Sequence, residues 1–192
     1  MRALIYDLTF RRLTTDWYAA VLSRLAPGSR MLDVGIGTGG ALVGNAPLVA
    51  ERNLHITGVD IDPSYVKRAR KNVEKAGLQE RVTVRLESIY DHSGAEYDAA
   101  YFSASFMLLP DPVAALQHVS SLLSPGGRIF FTQTFENQRS VLVEKTKPLL
   151  KAVTTIDFGQ VTYLEDFQRT LSAGGVGITD AVDLKVGRSR TF

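Results

Sequence analysis

A chain of 192 residues, 45% hydrophobic and 22% charged, can build one domain with a sizeable core and is too short for two of ordinary size. No run approaches the roughly 18 apolar residues that cross a bilayer, so no transmembrane segment is expected. A net charge of +2, with bases scattered among acids, disfavours nucleic acid as a partner.

The lack of cysteine excludes disulfides, thiolate metal sites and cysteine nucleophiles. His55, His92 and His118 are far apart and show no metal-ligand spacing, so surface or loop roles are expected and no metal is called for. Arg2, Arg11, Arg12 and Arg24 give the N-terminus a partly amphipathic, transit-peptide-like pattern, but Asp7, Asp16 and the scarcity of serine argue against one. A cytoplasmic location is expected.

In chain order, residues 12–25 read as a helix with Trp17, Val21, Leu22 and Leu25 on one face, stopped by Pro27 and Gly28. A strand over 30–34 runs into a glycine cluster, and 40–52 reads as a helix weakened by Gly44 and Pro47. A second strand covers 55–60. Asp62-Pro63-Ser64 opens a helix to about 76, with Gly77 as its stop. Strands follow at 82–86 and 97–103, then a helix from Pro112 to Leu123, the turn Ser124-Pro125-Gly126-Gly127 and a fifth strand over 128–133. Beyond these, a basic helix is expected near 138–153 and another over 162–173, the latter with Thr162 and Glu165 in capping-box spacing. A sixth strand is expected at 178–186, with a stub of a seventh at 188–192.

Apolar runs alternating with helical patterns predict an α/β fold: a Rossmann-like, doubly wound, mostly parallel sheet of seven strands, or six plus a stub, with helices on both faces. The whole of 1–192 is expected to form a single domain. Residues 1–28 would be an N-terminal helical lid, 29–136 a cofactor-binding core, and 137–192 the substrate-side helices and last strands.

The cluster Asp33-Val34-Gly35-Ile36-Gly37-Thr38-Gly39-Gly40 brings backbone close to a ligand where a strand turns into a helix. Two parses are open, Gly35/Gly37/Gly39 and the dinucleotide spacing Gly35/Gly37/Gly40. Asp60 ends the second strand about 20 residues on, where a carboxylate can accept both hydroxyls of a ribose. That suits nicotinamide cofactors as well. Asp33 points elsewhere: beside a pyrophosphate it would be repelled, whereas a ligand carrying a sulfonium and an ammonium reverses the sign. S-adenosylmethionine is such a ligand.

At this point the chain resembles the class I S-adenosylmethionine-dependent methyltransferases. The resemblance rests on Leu32 to Gly39, Gly58 to Pro63, Leu86-Glu87-Ser88, Tyr97 to Phe102 with Leu109 to Pro112, and Leu123 to Arg128, all in order. It implies that Gly35, Gly37 and Gly39 underlie the methionyl part and ribose, with Asp33 near the ammonium. It places Asp60 on the ribose hydroxyls, Ile61 against adenine and Glu87 on the adenine amino group, with Ser88 beside it. Phe102 and Ser103 would line the floor near the transferable methyl.

Methyl transfer is an in-line displacement at an activated carbon, so alignment is the main task and a general base is optional. Tyr6, Asp7, Tyr18 and Tyr101 stand at the expected mouth as candidates for one, with packing or lid roles preferred for each. After the fourth strand the chain has Ser103-Ala104-Ser105-Phe106, not the N/D-P-P-Y/F of base and glutamine amino methylases, and Met107 or Leu108 where many small-molecule members have histidine. Phe106, Met107, Leu108, Leu109, Phe135 and Tyr163 could form an apolar acceptor pocket, while Arg139, Lys145, Lys147 and Lys151 read as a solvated face. The expected acceptor is a small organic molecule with an oxygen, nitrogen or sulfur nucleophile. A protein side chain comes second, and a non-catalytic partner subunit and a nicotinamide-dependent oxidoreductase are the rival readings. The short C-terminus leaves a sheet edge that another chain could complete, so a homodimer is among the expected assemblies.

Overall fold

The computed structural model describes residues 2–94, 96–136, 162–184 and 190–191. Five strands, β1 (Arg30–Val34), β2 (His55–Asp60), β3 (Val82–Leu86), β4 (Tyr97–Ser103) and β5 (Leu123–Thr132), pair in parallel in the order β3-β2-β1-β4-β5. Helices cover both faces, so the central strands are apolar almost throughout: Ala99, Ala100, Tyr101 and Phe102 of β4 are all buried. Met31, Ile56 and Tyr101 face α1 (Arg2–Leu22), α2 (Gly40–Val43) and α4 (Pro63–Lys75) through Leu22, Leu42 and Val66. Leu32, Val34 and Phe102 face α5 (Pro112–Ser121) and α6 (Leu164–Ala173) through Leu116 and Phe167.

The first four strands lie where the sequence puts them; β5 begins five residues earlier than expected, at Leu123, taking in the expected turn at 124–127 with a register shift between Tyr97 and Ala99, and α5 ends at Ser121. Helix α1 begins ten residues earlier than expected, at Arg2, and ends at Leu22. The single helix expected over 40–52 is two, α2 and α3 (Ala46–Glu51). The break follows from α1: an added Cβ on Gly44 would sit 3.0 Å from Thr15 Cγ2, and the Asn45 amide donates to the Thr15 and Ala41 carbonyls, both at 3.0 Å. Helix α6 starts at Leu164 with Tyr163 as its N-cap, and Thr162 is buried, its hydroxyl accepting from Gln133 at 3.3 Å.

The far edge of the sheet departs most from expectation. Residues Ile178 to Leu184 lie in no strand, and Ile178, Val182 and Leu184 are exposed. Instead β7 (Arg190–Thr191) pairs antiparallel with β6 (Phe135–Glu136), a two-stranded ladder separate from the main sheet. β5 is the last strand of the main sheet among the described residues, and this segment lines a cavity beside it without pairing, since apolar alternation alone does not make a strand. The basic helix expected near 138–153 lies outside the described residues.

The order of the sheet sets the site. Strands β1, β2 and β3 progress one way, whereas β4 returns to the other side of β1, so the carboxyl ends of β1 and β4 form the switch-point crevice.

Candidate cofactor site

Three glycines of the cluster adopt left-handed backbone, Gly35 (φ 79°), Gly37 (φ 59°) and Gly39 (φ 65°), whereas Gly40 is the first residue of α2. The 35/37/39 parse is therefore the one the backbone uses. At Gly35 the constraint is double, because an added Cβ would also lie 2.7 Å from Ser105 Cβ. Ser105 follows β4 and donates its hydroxyl to the Val34 carbonyl, which locks the loops after β1 and β4 together across the crevice.

Asp60 is fixed by backbone. Its Oδ2 accepts from the Gly37 amide and its Oδ1 from the Asp62 amide, both at 2.9 Å. Each oxygen keeps a second lone pair, so two hydroxyls can still be accepted. Asp62 separately caps α4, accepting from the Ser64 hydroxyl at 2.6 Å and from the Ser64 and Tyr65 amides at 2.7 and 3.1 Å, and these bonds, the hydroxyl's first, lower its pKa. Beside Asp60, Ile61 is 74% exposed, an apolar side chain left uncovered next to a polar pair.

Asp33 is fully buried. Its Oδ2 accepts from the Tyr18 hydroxyl of α1 at 2.8 Å, and no described residue engages its buried Oδ1. Burial raises its pKa to about 7; the Tyr18 bond opposes that rise and the nearby Asp60 charge adds to it. Its unused buried oxygen can accept from a ligand, and a cationic donor there would favour the ionised form.

Glu87 follows β3, its amide donating to the Asp60 carbonyl at 3.1 Å, so the two acids sit on adjacent strand ends. Its carboxylate Oε1 lies 2.6 Å from His92 Nδ1 and 3.8 Å from the Arg85 guanidinium. Ser88 is half-buried, its hydroxyl accepting from the Tyr90 amide at 3.3 Å. His92 lies in a loop, as expected for the histidines, but is not at the surface: it is buried, with Nε2 at 3.0 Å from the Tyr97 hydroxyl. Its only sequence signal was the spacing Glu87, His92, Tyr97, which matches no helix or strand period.

Other expected residues have different surroundings. Phe102 is core and not floor: it stacks on Phe131 at 5.3 Å and meets Phe106 edge-on at 5.2 Å, inside a cluster that includes Phe167. Ser103, at the tip of β4, is half-buried. Tyr18 and Tyr101 are also buried, edge to face at 4.9 Å, and Tyr101 shares a 2.7 Å hydrogen bond with Thr132. Burial pushes both phenols up, which removes them as proton acceptors near neutrality. The side chains of Tyr6 and Asp7 lie outside the described residues.

Of the apolar pocket residues, Phe106 belongs to the core, Met107 and Leu109 pack against it, and Leu108 is exposed. Phe135 and Tyr163 line a cavity of about 1070 Å³ with Phe131, Phe167, Ile178 and Val182, running beside β5 from its carboxyl end. Among the described residues no three metal-ligating side chains cluster, and no helix is long and apolar enough to cross a membrane.

A parallel sheet with a glycine loop after its first strand and acids on the next two strand ends defines a Rossmann-like α/β domain with a cofactor crevice at its switch point. The family described as "Methyltransferase domain" matches residues 25–178, and the chain belongs to that family. It is 33% identical over 117 residues to the ubiquinone biosynthesis O-methyltransferase of Idiomarina loihiensis, covering 60% of this chain and 46% of that one. It is 31% identical over 131 residues to the aklanonic acid methyltransferase of a Streptomyces species, covering 65% and 59%. The chain thus spans about half the length of these relatives. Among solved structures, geranyl diphosphate C-methyltransferase of Streptomyces coelicolor, described in complex with Mg2+, geranyl diphosphate and S-adenosyl-L-homocysteine, superposes with a TM-score of 0.70 at 16% identity, covering 90% of this chain and 63% of that one. The cyclase SpnF superposes with a TM-score of 0.70 at 24% identity, covering 91% and 59%. At these identities the superpositions speak for the fold alone.

Proposed function

We propose that the chain binds S-adenosylmethionine and transfers its methyl group to an oxygen, nitrogen or sulfur atom of a small organic acceptor. The observation that carries this is Asp33: a buried acid with an unused oxygen beside a left-handed glycine loop suits an ammonium and repels a pyrophosphate. Membership in the methyltransferase domain family supports the same donor. The two curated relatives named above favour a small-molecule acceptor, and the O-methyltransferase favours oxygen.

Gly35, Gly37 and Gly39 would underlie the methionyl part and ribose, Asp33 hold the ammonium, Asp60 the ribose hydroxyls, Ile61 one adenine face and Glu87 the adenine amino group, with Ser88 beside it. When bound, the cofactor supplies a methyl carbon activated by sulfonium. An acceptor lone pair would form the new bond to carbon as the carbon–sulfur bond breaks, that bond's electrons passing to sulfur and any acceptor proton to solvent. The protein's part is to align the two in a dry crevice. Tyr18 ties the N-terminal helix to Asp33, which supports a lid role for residues 1–28 over a core at 29–136. The cavity beside β5, lined by Phe131, Phe135, Phe167 and Ile178 together with Gln133 and Asp180, suits an acceptor with apolar and polar parts.

A thermal-shift series with S-adenosylhomocysteine, S-adenosylmethionine and NAD tests the donor. Stabilisation by the first two is expected, and stabilisation by NAD alone would overturn the reading. Labelled methyl transfer into fractionated metabolites and proteins then separates a small acceptor from a protein side chain.

A further inference from the structure

Glu87 is longer than a carboxylate needs to be at this position and would swing freely if left to itself. It is instead tied to a buried chain of groups. His92 Nδ1 sits 2.6 Å from Glu87 Oε1, and His92 Nε2 sits 3.0 Å from the Tyr97 hydroxyl at the start of β4. An ionised carboxylate only accepts, so Nδ1 carries the hydrogen, and in a neutral ring Nε2 then accepts from the phenol. The backbone that carries the imidazole is held as well. His118 of α5 donates through Nε2 to the His92 carbonyl at 2.9 Å, and nearby the Tyr90 hydroxyl closes two bonds with the Asp111 backbone, at 2.8 and 2.9 Å. Gly94 lies over the pair with no room for a side chain, since a Cβ there would come within 2.9 Å of the Tyr97 oxygen and 3.1 Å of His92 Nε2.

Both the His92 bond and the distant Arg85 contact use Oε1, and no described residue engages Oε2. We propose that His92 is a positioning residue for cofactor selection: it anchors Glu87 through Oε1 so that Oε2 is presented, pre-oriented, to the 6-amino group of the purine. This rests on the assignment of Glu87 to the adenine end of the S-adenosyl cofactor. The consequence is selectivity for a purine that donates at position 6. Holding the carboxylate in advance removes the rotamer cost of fixing a long side chain at binding, and a fixed carboxylate facing an oxo group is left unpaired and repelled.

The test compares S-adenosylhomocysteine with S-inosylhomocysteine, in which oxygen replaces the amino group, by calorimetry. Wild type is expected to prefer the adenine form by about tenfold or more. His92→Leu is expected to bring the two affinities within about threefold of each other, chiefly by weakening the adenine form, and His92→Asn, whose amide N–H stands near the place of Nδ1–H, to restore most of the preference. A general loss of structure would weaken both ligands alike. Glu87→Gln separates the two levels of the argument. If it shifts the preference toward inosine while folded His92→Leu keeps the wild-type ratio, the positioning role is wrong and the adenine assignment stands. If Glu87→Gln leaves the ratio unchanged, both fall. Should His92→Leu fail to fold, nitrogen NMR of the wild-type histidine decides: hydrogen on Nδ1 supports the relay, and a neutral ring protonated only at Nε2 overturns it.

Discussion

Asp33 couples cofactor affinity to pH in a way that can be worked out from its surroundings. Its pKa is raised to about 7, chiefly by burial, so in the empty protein it is mostly protonated at pH 6 and mostly ionised at pH 8. If the ammonium binds only the ionised form, apparent affinity scales with the ionised fraction, which rises about tenfold from pH 6 to pH 8. Calorimetry with S-adenosylhomocysteine at pH 6, 7 and 8 should show that change, with about half a proton released per binding event at pH 7. Two buffers of different ionisation enthalpy measure the proton count. In Asp33→Asn the pH dependence should vanish and affinity stay low throughout. Wild-type affinity that is flat from pH 6 to 8, with no buffer dependence, would refute the reasoning.

The same shift makes a stability prediction of opposite sign. A carboxyl whose folded pKa lies above its unfolded value favours the fold most below the unfolded pKa, near 3.8, and that contribution is lost as pH rises through about 7. The full loss is at most about 4 kcal/mol, and an amide in its place leaves one orphaned group costing about 1–3 kcal/mol. Cofactor-free Asp33→Asn should therefore be more stable than wild type at pH 8 by about 1–3 kcal/mol and show little gain at pH 4, by denaturant unfolding. Gly35→Ala meets both a left-handed backbone and Ser105, so it should cost about 1–3 kcal/mol and abolish cofactor-induced stabilisation, read as a thermal shift. Phe102→Ala should cost about 3–5 kcal/mol, while Phe102→Leu, if folded, should leave cofactor affinity within about threefold; a large affinity loss would return Phe102 to the methyl site. Asp60→Ala should weaken S-adenosylhomocysteine by more than about tenfold in the same calorimetry, since it removes an anchored charged acceptor.

What the sequence made legible was whatever is decided locally. The start of α4 is written in Asp62-Pro63-Ser64 because the cap and the residues it bonds are neighbours. The central strand β4 shows as an apolar run because both its faces are covered, and the edge strand β3 shows as a short β-branched alternation with Val82 and Val84 buried. Gly44 and Pro47 marked the weak point of 40–52, but that it becomes a full break was not legible, since Thr15 of α1 lies across it. Nor was the fate of Ile178 to Leu184, which lie across a cavity from the edge strand β5 without pairing to it. The acids of the site were visible one by one, but the parse of the glycine cluster needed backbone angles, and the Glu87, His92 and Tyr97 chain needed the loop that folds His92 inward.

Strand parity explains the remaining difference. In a strand covered on both sides, hydrophobicity does not say which face a residue takes, so Tyr101 and Phe102 read alike. Pairing resolves them. Asp33 of β1 stands opposite Tyr101 of β4, and both face α1, which brings Tyr18 over the acid. Phe102 turns to the opposite face and into the aromatic cluster under α5 and α6. The acid expected to meet the ammonium is therefore the one that the N-terminal helix seals. A buried carboxylate with one unused oxygen disfavours the charged, empty state, and a cation entering there removes that cost. Docking of α1 and cofactor binding then favour each other through one residue, so Tyr18→Phe should weaken cofactor binding although Tyr18 need not touch the cofactor.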